Sequence, residues 1–136
     1  MNRTLLIVKP DGVERGLVGE VLARLERKGL RLVVGRLEVI PRDLAAAHYA
    51  EHQGKPFYDD LLAFITRSPA FVAVVEGPKD TWRILRTLMG PTNPAEAPPG
   101  TIRGDLATET AENLVHGSDS AEAAAREIAL FFPQLA

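Results

Sequence analysis

The sequence predicts an α+β domain of the split βαβ type: a four-stranded antiparallel sheet with helices packed on one face and a helical hairpin inserted between two strands. Short apolar runs recur along the chain, as expected of buried strands. Stretches with apolar residues at helical spacing lie between them, in the order β-α-β, two helices, β-α-β. The 136 residues have the usual size of one domain, so we expect a single domain over residues 1–136.

The first third of the chain predicts a strand, a helix and a second strand. The apolar run "TLLIV", residues 4–8, is typical of a buried strand that opens into a loop. Between Val18 and Leu25 apolar residues recur at helical spacing, and Gly29 marks the C-terminus of that helix. Residues 31–40 alternate charged and apolar side chains in part, which predicts a strand with one partly solvated face.

Two consecutive helices are expected to form an insertion after the second strand. Asp43 is the predicted N-cap of the first helix, "LAAAHYAEH". The second helix follows "QGKP" and carries four apolar residues on one side: Phe57, Leu61, Phe64 and Ile65. We therefore expect a helical hairpin between the second and third strands.

The second half of the chain repeats the order of strand, helix and strand. Residues 71–77 predict the third strand, and Asp80 is the expected N-cap of the next helix. Three residues of that helix are expected to point inward: Trp82, Leu85 and Met89. "NLVH", residues 113–116, predicts a short fourth strand. The last helix is expected over residues 121–132, with Ser120 as its N-cap.

A long loop is expected before the fourth strand. Residues 91–105, "PTNPAEAPPGTIRGD", contain four prolines and two glycines, which we take to exclude regular structure. A loop of this length in a compact domain is usually functional or disordered. We expect this loop to be functional.

Composition excludes several classes of function. The formal net charge of -2 provides no basic excess for binding a nucleic-acid backbone. The absence of cysteine excludes a disulfide framework, a thiol nucleophile and a Cys-ligated metal. No stretch approaches the roughly 20 apolar residues of a membrane span, and the first apolar run is too short for a signal peptide. We therefore expect a cytoplasmic protein that binds neither a membrane nor nucleic acid.

A histidine-containing pentapeptide in the insertion has the spacing of one class of zinc site. "HYAEH", residues 48–52, places two imidazoles one helical turn apart in the H-x-x-E-H pattern. A catalytic zinc ion needs a third protein ligand, and the sequence offers no evident one. A solvated helix face with an inward Tyr49 is the better interpretation, although the Tyr49 hydroxyl can also turn into a cleft. We expect no metal held by the protein itself.

A glycine-containing stretch after the first strand invites comparison with phosphate-binding loops. "KPDGVERGLVG", residues 9–19, is not a P-loop, because that motif places its lysine after the glycines and before Ser or Thr. The dinucleotide fingerprint G-x-G-x-x-G is absent as well. Lys9 lies at the C-terminal end of a strand, where its ammonium group is either an anion ligand or an ordinary surface charge.

The segment "NLVHGSDS", residues 113–120, places His116 among small polar residues just before the last helix. A lone histidine is more often structural than catalytic, so the neighbouring residues decide its interpretation. A neutral imidazole can attack phosphorus, and a carboxylate that holds the ring stabilises the positive charge that develops on it. Glu127 lies two turns into the last helix and can point back towards His116, with Ser118 between them.

Cationic and polar residues in other segments suit a charged, polyphosphate substrate. Arginine binds phosphate oxygens by paired donors, and lysine does so as a compact charge. The residues that could serve are Lys9, Arg86, Thr92, Arg103 and Asn113. Together with His116 they predict a site for phosphoryl transfer.

Five segments, in this order along the chain, resemble the nucleoside diphosphate kinase family. They are "RTLLIVKPDGVERG", "HYAEHQGKPFYDDLLAFI", "LMGPTNPAEAPPGTIRGD", "NLVHGSDS" and "AAREIALFF". The resemblance covers essentially the whole chain. It implies a ferredoxin-like fold, in agreement with the predicted elements. It also implies an enzyme that moves the terminal phosphoryl group of a nucleoside triphosphate to a nucleoside diphosphate by a ping-pong mechanism through phosphohistidine.

The resemblance also implies roles for the catalytic residues. His116 would be the nucleophile, and Glu127 and Ser118 would align its ring. Lys9 would contact the sugar hydroxyl and the transferred phosphate, with Tyr49 beside it.

Further positions that match the family's nucleotide site would bind the substrate. Arg86, Thr92 and Arg103 would hold the other phosphates, and Asn113 would bind the sugar. Two apolar residues, Phe57 and Leu61, would contact the base, with Phe57 stacked on it.

The same resemblance implies a cofactor and an assembly. Mg²⁺ would arrive on the nucleotide phosphates and not in a protein cage. The protein would form a homohexamer or a homotetramer. Because the polar residues are used on phosphate and sugar, little is left to read the base, and we expect broad tolerance of base and sugar.

Two departures from the family pattern and two alternative functions accompany this prediction. Arg67 and Ser68 stand where the family often has Ser-Gly, which we expect to affect helix termination and not the site. Thr110, opposite the base by position, is often a branched apolar residue. One alternative is a catalytically silent, nucleotide-binding regulatory protein. The other is a nucleic-acid-binding module, which the acidic charge disfavours.

Overall fold

The computed structural model describes residues 2–136, which contain four strands and seven α-helices. The strands are β1 (Asn2–Val8), β2 (Arg31–Glu38), β3 (Ala70–Gly77) and β4 (Val115–Gly117). The helices are α1 (Pro10–Glu14), α2 (Val18–Lys28), α3 (Arg42–His48), α4 (Tyr58–Ile65), α5 (Thr81–Met89), α6 (Ile102–Leu106) and α7 (Ala121–Phe131). Within residues 2–136, no helix is both long enough and apolar enough to cross a membrane.

The four strands form one antiparallel sheet in the order β2-β3-β1-β4, which confirms the predicted fold class. β1 is central and pairs with β3 along its whole length, from Asn2 opposite Gly77 to Val8 opposite Phe71. On its other side β1 pairs with the short edge strand β4, where Ile7 lies opposite His116. This register brings the predicted nucleophile to the end of β1 at which Lys9 follows.

Both faces of the sheet are covered by helices, so the expectation of helices on one face is wrong. Leu6 and Val8 of β1 pack with residues of α2 and α5 on one face. Leu5 and Ile7 pack with residues of α3, α4 and α7 on the other. All four side chains are fully buried. Because residues 5–8 of the central strand are apolar on both faces of the sheet, both faces have to be shielded from water, and the inserted hairpin covers the second one.

Helix α1 was not predicted, because a proline and a glycine within five residues hide its helical character. Pro10 occupies the first helical position, where its missing N–H is no loss. Gly12 permits a close approach to the sheet. A Cβ atom at Gly12 would lie 2.8 Å from Cγ1 of Val8 and 3.1 Å from the carbonyl oxygen of Leu114. The glycine therefore holds the turn after β1 against the residue that precedes β4.

The helical hairpin is present, but its predicted boundaries are partly wrong. Helix α3 begins after Pro41, and the Asp43 carboxylate accepts a bond from the adjacent Leu44 N–H instead of capping the helix. A 3-10 turn, Ala50–His52, replaces the predicted last turn of α3. In α4 the buried residues are Leu62 and Ile65. Phe57, Leu61 and Phe64 belong to the wall of the cleft described below.

The segment predicted as an irregular loop contains two short helical elements. They are a 3-10 turn over Pro94–Glu96 and α6. Each is capped at its start: the Asn93 side chain accepts a bond from the Ala95 N–H, and the Thr101 hydroxyl accepts one from the Gly104 N–H. Proline at a first helical position and polar caps thus allow structure where composition suggested none.

Predictions for the other helix ends are mostly confirmed. Ser120 caps α7, its hydroxyl accepting a bond from the Ala123 N–H. Leu85 and Met89 of α5 are fully buried, whereas Trp82 is only partly so. Asp80 stands at the N-cap position of α5, but its side chain makes no cap hydrogen bond.

Candidate active site

A cleft of about 830 Å³ opens between the helical hairpin and the end of the sheet where β1 stops and β4 starts. The structure brings nine of the eleven predicted site residues to its wall: Lys9, Tyr49, Phe57, Leu61, Arg86, Thr92, Arg103, Asn113 and His116. The other two, Ser118 and Glu127, are buried next to His116. Residues from six separate segments therefore meet in one place.

A strained turn aligns the two chain segments that enter the cleft. Leu114 adopts a left-handed backbone conformation, with φ of 75°, which costs a bulky residue about 1–3 kcal/mol. Its N–H donates to the buried Asp11 carboxylate at 3.1 Å. Its carbonyl oxygen accepts a bond from the Lys9 N–H at 2.9 Å. These bonds hold the turn in place and set the side chains of Lys9 and Asn113 side by side. The turn also explains why β4 starts at Val115, two residues later than predicted.

His116 is held from one side by Glu127 of α7 and by Ser118, which follows β4. Its Nε2 lies 2.8 Å from Oε1 of Glu127. The Ser118 hydroxyl donates to the same carboxylate oxygen at 2.8 Å and accepts a bond from the Leu5 N–H at 3.3 Å. Ser118 thus links the carboxylate to the central strand, and the imidazole ring has a fixed orientation.

The protonation of this pair follows from the surroundings of Glu127. Burial by itself raises the pKa of the Glu127 carboxyl, but the hydrogen bond and charge of His116 and the hydrogen bond from Ser118 outweigh it, so the pKa lies below its usual range. An ionised carboxylate only accepts hydrogen bonds. Nε2 of His116 therefore carries the proton towards Glu127, and Nδ1 keeps its lone pair.

Lys9, Asn113 and Thr92 form a hydrogen-bonded chain across the cleft wall. Nζ of Lys9 donates to Oδ1 of Asn113, and Nδ2 of Asn113 donates to the carbonyl oxygen of Thr92, both at 2.9 Å. Loss of water around Nζ and the nearby charge of Arg103 lower the pKa of Lys9 to about 8, against the opposing effect of Asp11. The ammonium group is therefore charged at neutral pH, and an anionic ligand would stabilise that charge further.

Arg103 is almost completely buried, with 4% of its surface exposed. Its guanidinium donates three hydrogen bonds to backbone carbonyl oxygens: to Gly90 at 2.9 Å, to Asn113 at 3.2 Å and to Val115 at 2.7 Å. The residue thereby joins the end of α5 to the segment that enters β4.

A second guanidinium lies in the same wall. Arg86 donates to the carbonyl oxygen of Gly117 at 2.9 Å. Burial, and next the charge of Arg86, lower the pKa of Arg103 to about 10. Two partly dehydrated cations at one end of a cleft favour an anion between them.

The opposite end of the cleft is open and has an apolar wall along α4. Phe57 is 45% exposed, and its ring contacts that of His52, with the two centroids 5.4 Å apart. Leu61 and Phe64 extend the apolar wall along α4. An exposed aromatic ring beside an apolar wall offers a surface on which a flat ring can stack.

Ion pairs fasten the hairpin at the mouth of this open end. Arg67 bonds to Glu14 of α1 at 2.6 Å and contacts Glu112 at 3.4 Å, and the Ser68 hydroxyl donates to Glu14. Arg67 and Glu112 also line the cleft. The expectation that Arg67 and Ser68 bear only on helix termination is therefore wrong. The sequence offered no signal for this cluster, because its members come from three distant segments.

His48 is the neighbour of His116 that the sequence interpretation missed. Instead of lying on a solvated helix face, it is 4% exposed, and its ring meets the His116 ring edge to face at a centroid distance of 4.8 Å. Burial, and next the charge of His116, lower the pKa of His48 to about 3, so the imidazole is neutral. Tyr49, the next residue, faces the cleft, and burial raises its pKa to about 12. The "HYAEH" pattern pointed to His48 but paired it with His52, whereas the structure places it against His116.

Comparison with known proteins identifies the family of this chain. A family model described as "Nucleoside diphosphate kinase" matches residues 2–136. The chain belongs to the nucleoside diphosphate kinase family. It is therefore a phosphotransferase that acts on nucleotides, and a silent regulator or a nucleic-acid-binding module is not favoured.

Relatives and solved structures of the family agree closely with this chain. A nucleoside diphosphate kinase of Thermomicrobium roseum is 62% identical over 132 residues, which are 97% of this chain and 88% of the relative. One from Staphylococcus aureus is 57% identical with the same coverage. A family protein from Babesia bovis has a TM-score of 0.95 at 50% identity, covering 98% of this chain and 90% of its own. The halophilic enzyme of Halobacterium salinarum in complex with CDP has a TM-score of 0.92 at 53% identity, covering 96% and 87%.

Proposed function

We propose that His116 is the residue that carries the phosphoryl group, and that Nδ1 is the nitrogen phosphorylated. The observation that supports this is the 2.8 Å contact between Nε2 and the Glu127 carboxylate, because it directs the proton to Nε2 and leaves the lone pair on Nδ1. Nδ1 attacks the terminal phosphorus of a nucleoside triphosphate, the bond to the bridging oxygen breaks, and the nucleoside diphosphate departs. A second nucleoside diphosphate then attacks the phosphohistidine with its terminal oxygen and restores the free imidazole.

Glu127 and Ser118 act on this step through the ring of His116. The ring becomes positively charged as Nδ1 attacks, and a buried, ionised Glu127 stabilises that charge. The hydrogen bond from Ser118 keeps the carboxylate in position. These hydrogen bonds fix both residues relative to the ring of His116.

The phosphates of the nucleotide are bound by the cationic end of the cleft. Arg86, Arg103 and the Thr92 side chain hold the phosphates that are not transferred, and Lys9 contacts the transferred one. The lowered pKa values of Lys9 and Arg103 support this assignment, because burial and neighbouring cations disfavour both charges and phosphate oxygens would stabilise them. Tyr49 lies at the cleft wall next to His48 and assists at the transferred phosphate.

The sugar and the base extend from there towards the open end. Asn113 binds the sugar hydroxyl with Lys9, its hydrogen-bonded neighbour. Phe57 stacks on the base, and Leu61 contacts it from α4. Stacking accepts every base, and the base-end residues Phe57, Leu61 and Phe64 are apolar, so purines and pyrimidines, ribose and deoxyribose are all substrates.

Mg²⁺ reaches the site on the phosphates of the nucleotide. The cluster of three metal-binding side chains found among residues 2–136 is His48, His116 and Glu127, whose two imidazoles do not suit an ion that prefers oxygen ligands. The cations at the phosphate end fit a polyphosphate that brings its own counter-ion. When bound, Mg²⁺ neutralises phosphate charge; the residues of this chain orient the phosphates.

We also propose that residues 1–136 form one domain and that the protein is a cytoplasmic homo-oligomer, a hexamer or a tetramer. The two apolar clusters share β1, which supports a single domain. The edge strand β2 and the residue after it expose apolar side chains, Leu37 by 60% and Val39 by 54%, which supports assembly. The mass of the native particle tests the assembly.

The central test is the isolation of the phosphorylated protein. After incubation with γ-labelled ATP and removal of nucleotide, we expect label that is stable in base and lost in acid, located on His116 by peptide mass spectrometry. His52→Ala serves as a matched histidine variant and should label normally, whereas His116→Ala should not. Label on another residue, or none, would contradict the proposal.

The breadth of substrate is tested with several acceptors. We expect kcat/KM values for GDP, CDP and dTDP to lie within roughly 10² of one another, since partial loss of stacking costs about 1–3 kcal/mol. Larger bases should react faster. A preference beyond about 10⁴ for one base, the range that hydrogen-bonded recognition reaches, would show that the site reads the base.

A further inference from the structure

His48 is a buried residue that the proposed reaction does not use. Its Nδ1 atom is inaccessible to solvent and has no hydrogen-bond partner among residues 2–136. An unsatisfied buried polar atom costs about 1–3 kcal/mol, and an ion that the site can bind is one reason for such an atom to be retained.

Packing alone does not account for an imidazole at this position. The His48 ring meets the rings of His116, Tyr49 and Phe131 edge to face, at centroid distances of 4.8, 4.7 and 5.5 Å. A phenylalanine ring would make the same contacts without leaving a polar atom unsatisfied. Nδ1 of His48 therefore needs a partner that these three rings do not supply.

We propose that His48, His116 and Glu127 bind one transition-metal cation of the zinc class, and that this ion inhibits the enzyme by occupying the nucleophile. One nitrogen of each imidazole and one oxygen of Glu127 lie within 4.8 Å of one another. Two histidines and one glutamate are a ligand set that binds zinc and leaves a fourth position open. The proposal rests on the role of His116 given above.

The geometry requires a modest closure of the three side chains. Ligand atoms around a tetrahedral zinc ion are about 3.3 Å apart, so the widest pair has to approach by about 1.5 Å. Glu127 and His116 are already in contact. Closure therefore depends chiefly on His48, which borders the second cavity described next.

A second cavity gives an ion access to this cluster. It has a volume of about 530 Å³, adjoins the cleft, and is bordered by His48, His116 and Glu127. A water molecule from this cavity can fill the fourth coordination position. Arg126, whose guanidinium lies 3.6 Å from Oε2 of Glu127, is a nearby cation, as is Arg86. Both make the site weaker than a structural zinc site with the same ligands.

The ligand set selects against the ion that accompanies the substrate. Imidazole suits zinc, copper and nickel, whereas Mg²⁺ prefers six oxygen ligands. Coordination through Nε2 of His116 moves the single proton of the neutral ring to Nδ1, and the lone pair that would attack phosphorus is lost. Metal binding and phosphorylation of His116 therefore exclude each other.

Calorimetric titration of the nucleotide-free protein with Zn²⁺ tests the site. We expect one tight Zn²⁺ per chain in the wild type, and binding at least tenfold weaker in His48→Phe. His52→Phe is the matched control, because His52 is the chain's remaining histidine and lies outside the cluster. It should bind like the wild type, and millimolar Mg²⁺ should not displace Zn²⁺. Equal binding by His48→Phe, or loss of binding in His52→Phe, would overturn the proposal.

X-ray absorption on the zinc-loaded wild type gives an answer even if His48→Phe does not fold. We expect two imidazole ligands and at least one oxygen ligand, at distances of about 2.0–2.2 Å. A spectrum with one imidazole or none would overturn the proposal.

Phosphohistidine formation separates this proposal from the proposed reaction. We expect zinc-free wild type and zinc-free His48→Phe both to become labelled by γ-labelled ATP. Pre-loading with Zn²⁺, followed by removal of free ion, should block labelling of the wild type and spare His48→Phe. If neither zinc-free protein is labelled, His116 is not the nucleophile, and zinc cannot inhibit by occupying it. The titration would still decide whether zinc binds to the three side chains. Equal labelling of zinc-loaded wild type and variant would overturn inhibition.

Discussion

The two ends of the cleft are built in opposite ways. At the phosphate end, Arg103 and Glu127 are each 4% exposed, and their hydrogen bonds reach the backbone or other buried side chains. At the base end, Phe57 is 45% exposed, and the hairpin that carries it is fastened by the ion pairs of Arg67 at the surface. The phosphate end is rigid because each bond there would be expensive to break in a buried site.

The difference corresponds to what the two ends have to do. Phosphoryl transfer requires fixed donors around a charge that develops at one point, which favours preorganised, dehydrated groups. A site that accepts every base needs an apolar surface for stacking and no hydrogen bonds specific to one base. Substitutions should therefore affect chemistry and stability at the phosphate end, and binding alone at the base end.

The largest effect is expected for His116→Ala. Turnover should fall by more than about 10⁴-fold, because the variant lacks the atom that receives the phosphoryl group. The dissociation constant of a nucleoside diphosphate should change little, since the imidazole contributes mainly to the chemical step. A steady-state assay and a nucleotide titration measure the two quantities. Residual exchange in a preparation free of host enzyme would contradict the assignment.

Arg103→Lys should reduce stability as well as activity. An ammonium group cannot reach three carbonyl oxygens at once, and the acceptors left unpaired in a buried site cost about 2–4 kcal/mol of unfolding free energy in total. Denaturant unfolding measures this change. Arg15→Lys is the matched control, because Arg15 donates one exposed bond to the carbonyl oxygen of Leu106, and we expect a change within about 0.5 kcal/mol. Similar effects of the two variants would refute the contrast in burial.

Phe57→Ala should weaken nucleotide binding and leave the fold intact. Loss of a stacking partner costs about 1–3 kcal/mol, so KM should rise by roughly 5- to 150-fold with a smaller change in kcat. Phe57→Trp keeps an aromatic ring and should retain the wild-type KM. The melting temperature should be nearly unchanged, because the ring is half exposed. A fall in kcat without a rise in KM would place Phe57 at the chemical step instead.

The smallest effect is expected for Arg67→Ser. Its ion pairs lie at the surface, where such pairs contribute about 0–1 kcal/mol, so KM should change by no more than about fivefold. The difference from wild type should shrink at about 1 M salt, where the screening length is near 3 Å. Arg42→Ser alters an exposed arginine away from the cleft and should show no such salt dependence. A large effect that salt does not reduce would mean that Arg67 acts on the nucleotide directly.

The sequence predicted the sheet and most of the helices because their signals are local. The apolar run before Lys9 indicated β1, and the spacing from Val18 to Leu25 indicated α2. The short α6 and the 3-10 turn at Pro94 were missed, since the proline and glycine content was taken to exclude regular structure where caps had formed. Asp43 was predicted as a cap that the chain does not use.

The sequence predicted part of the candidate site, because some of the signals for that site are also local. The motif around His116 and the position of Glu127 in α7 could be found along the chain, and the resemblance to the family located the remaining residues. The burial of His48 against His116 and the Arg67 cluster could not be found that way. Each depends on segments that meet only when the hairpin packs on the sheet.

The sequence by itself determined the class of fold, the family and the set of groups available for phosphoryl transfer, because periodicity, caps and contiguous motifs are properties of neighbouring residues. Tertiary structure decided which of those groups are dehydrated, which are paired and how they are oriented. The pKa values of Lys9 and Glu127, the left-handed turn at Leu114 and the unpartnered nitrogen of His48 all depend on contacts between distant segments. Such contacts exist only after the chain has buried its apolar faces, and no pattern along the sequence records them.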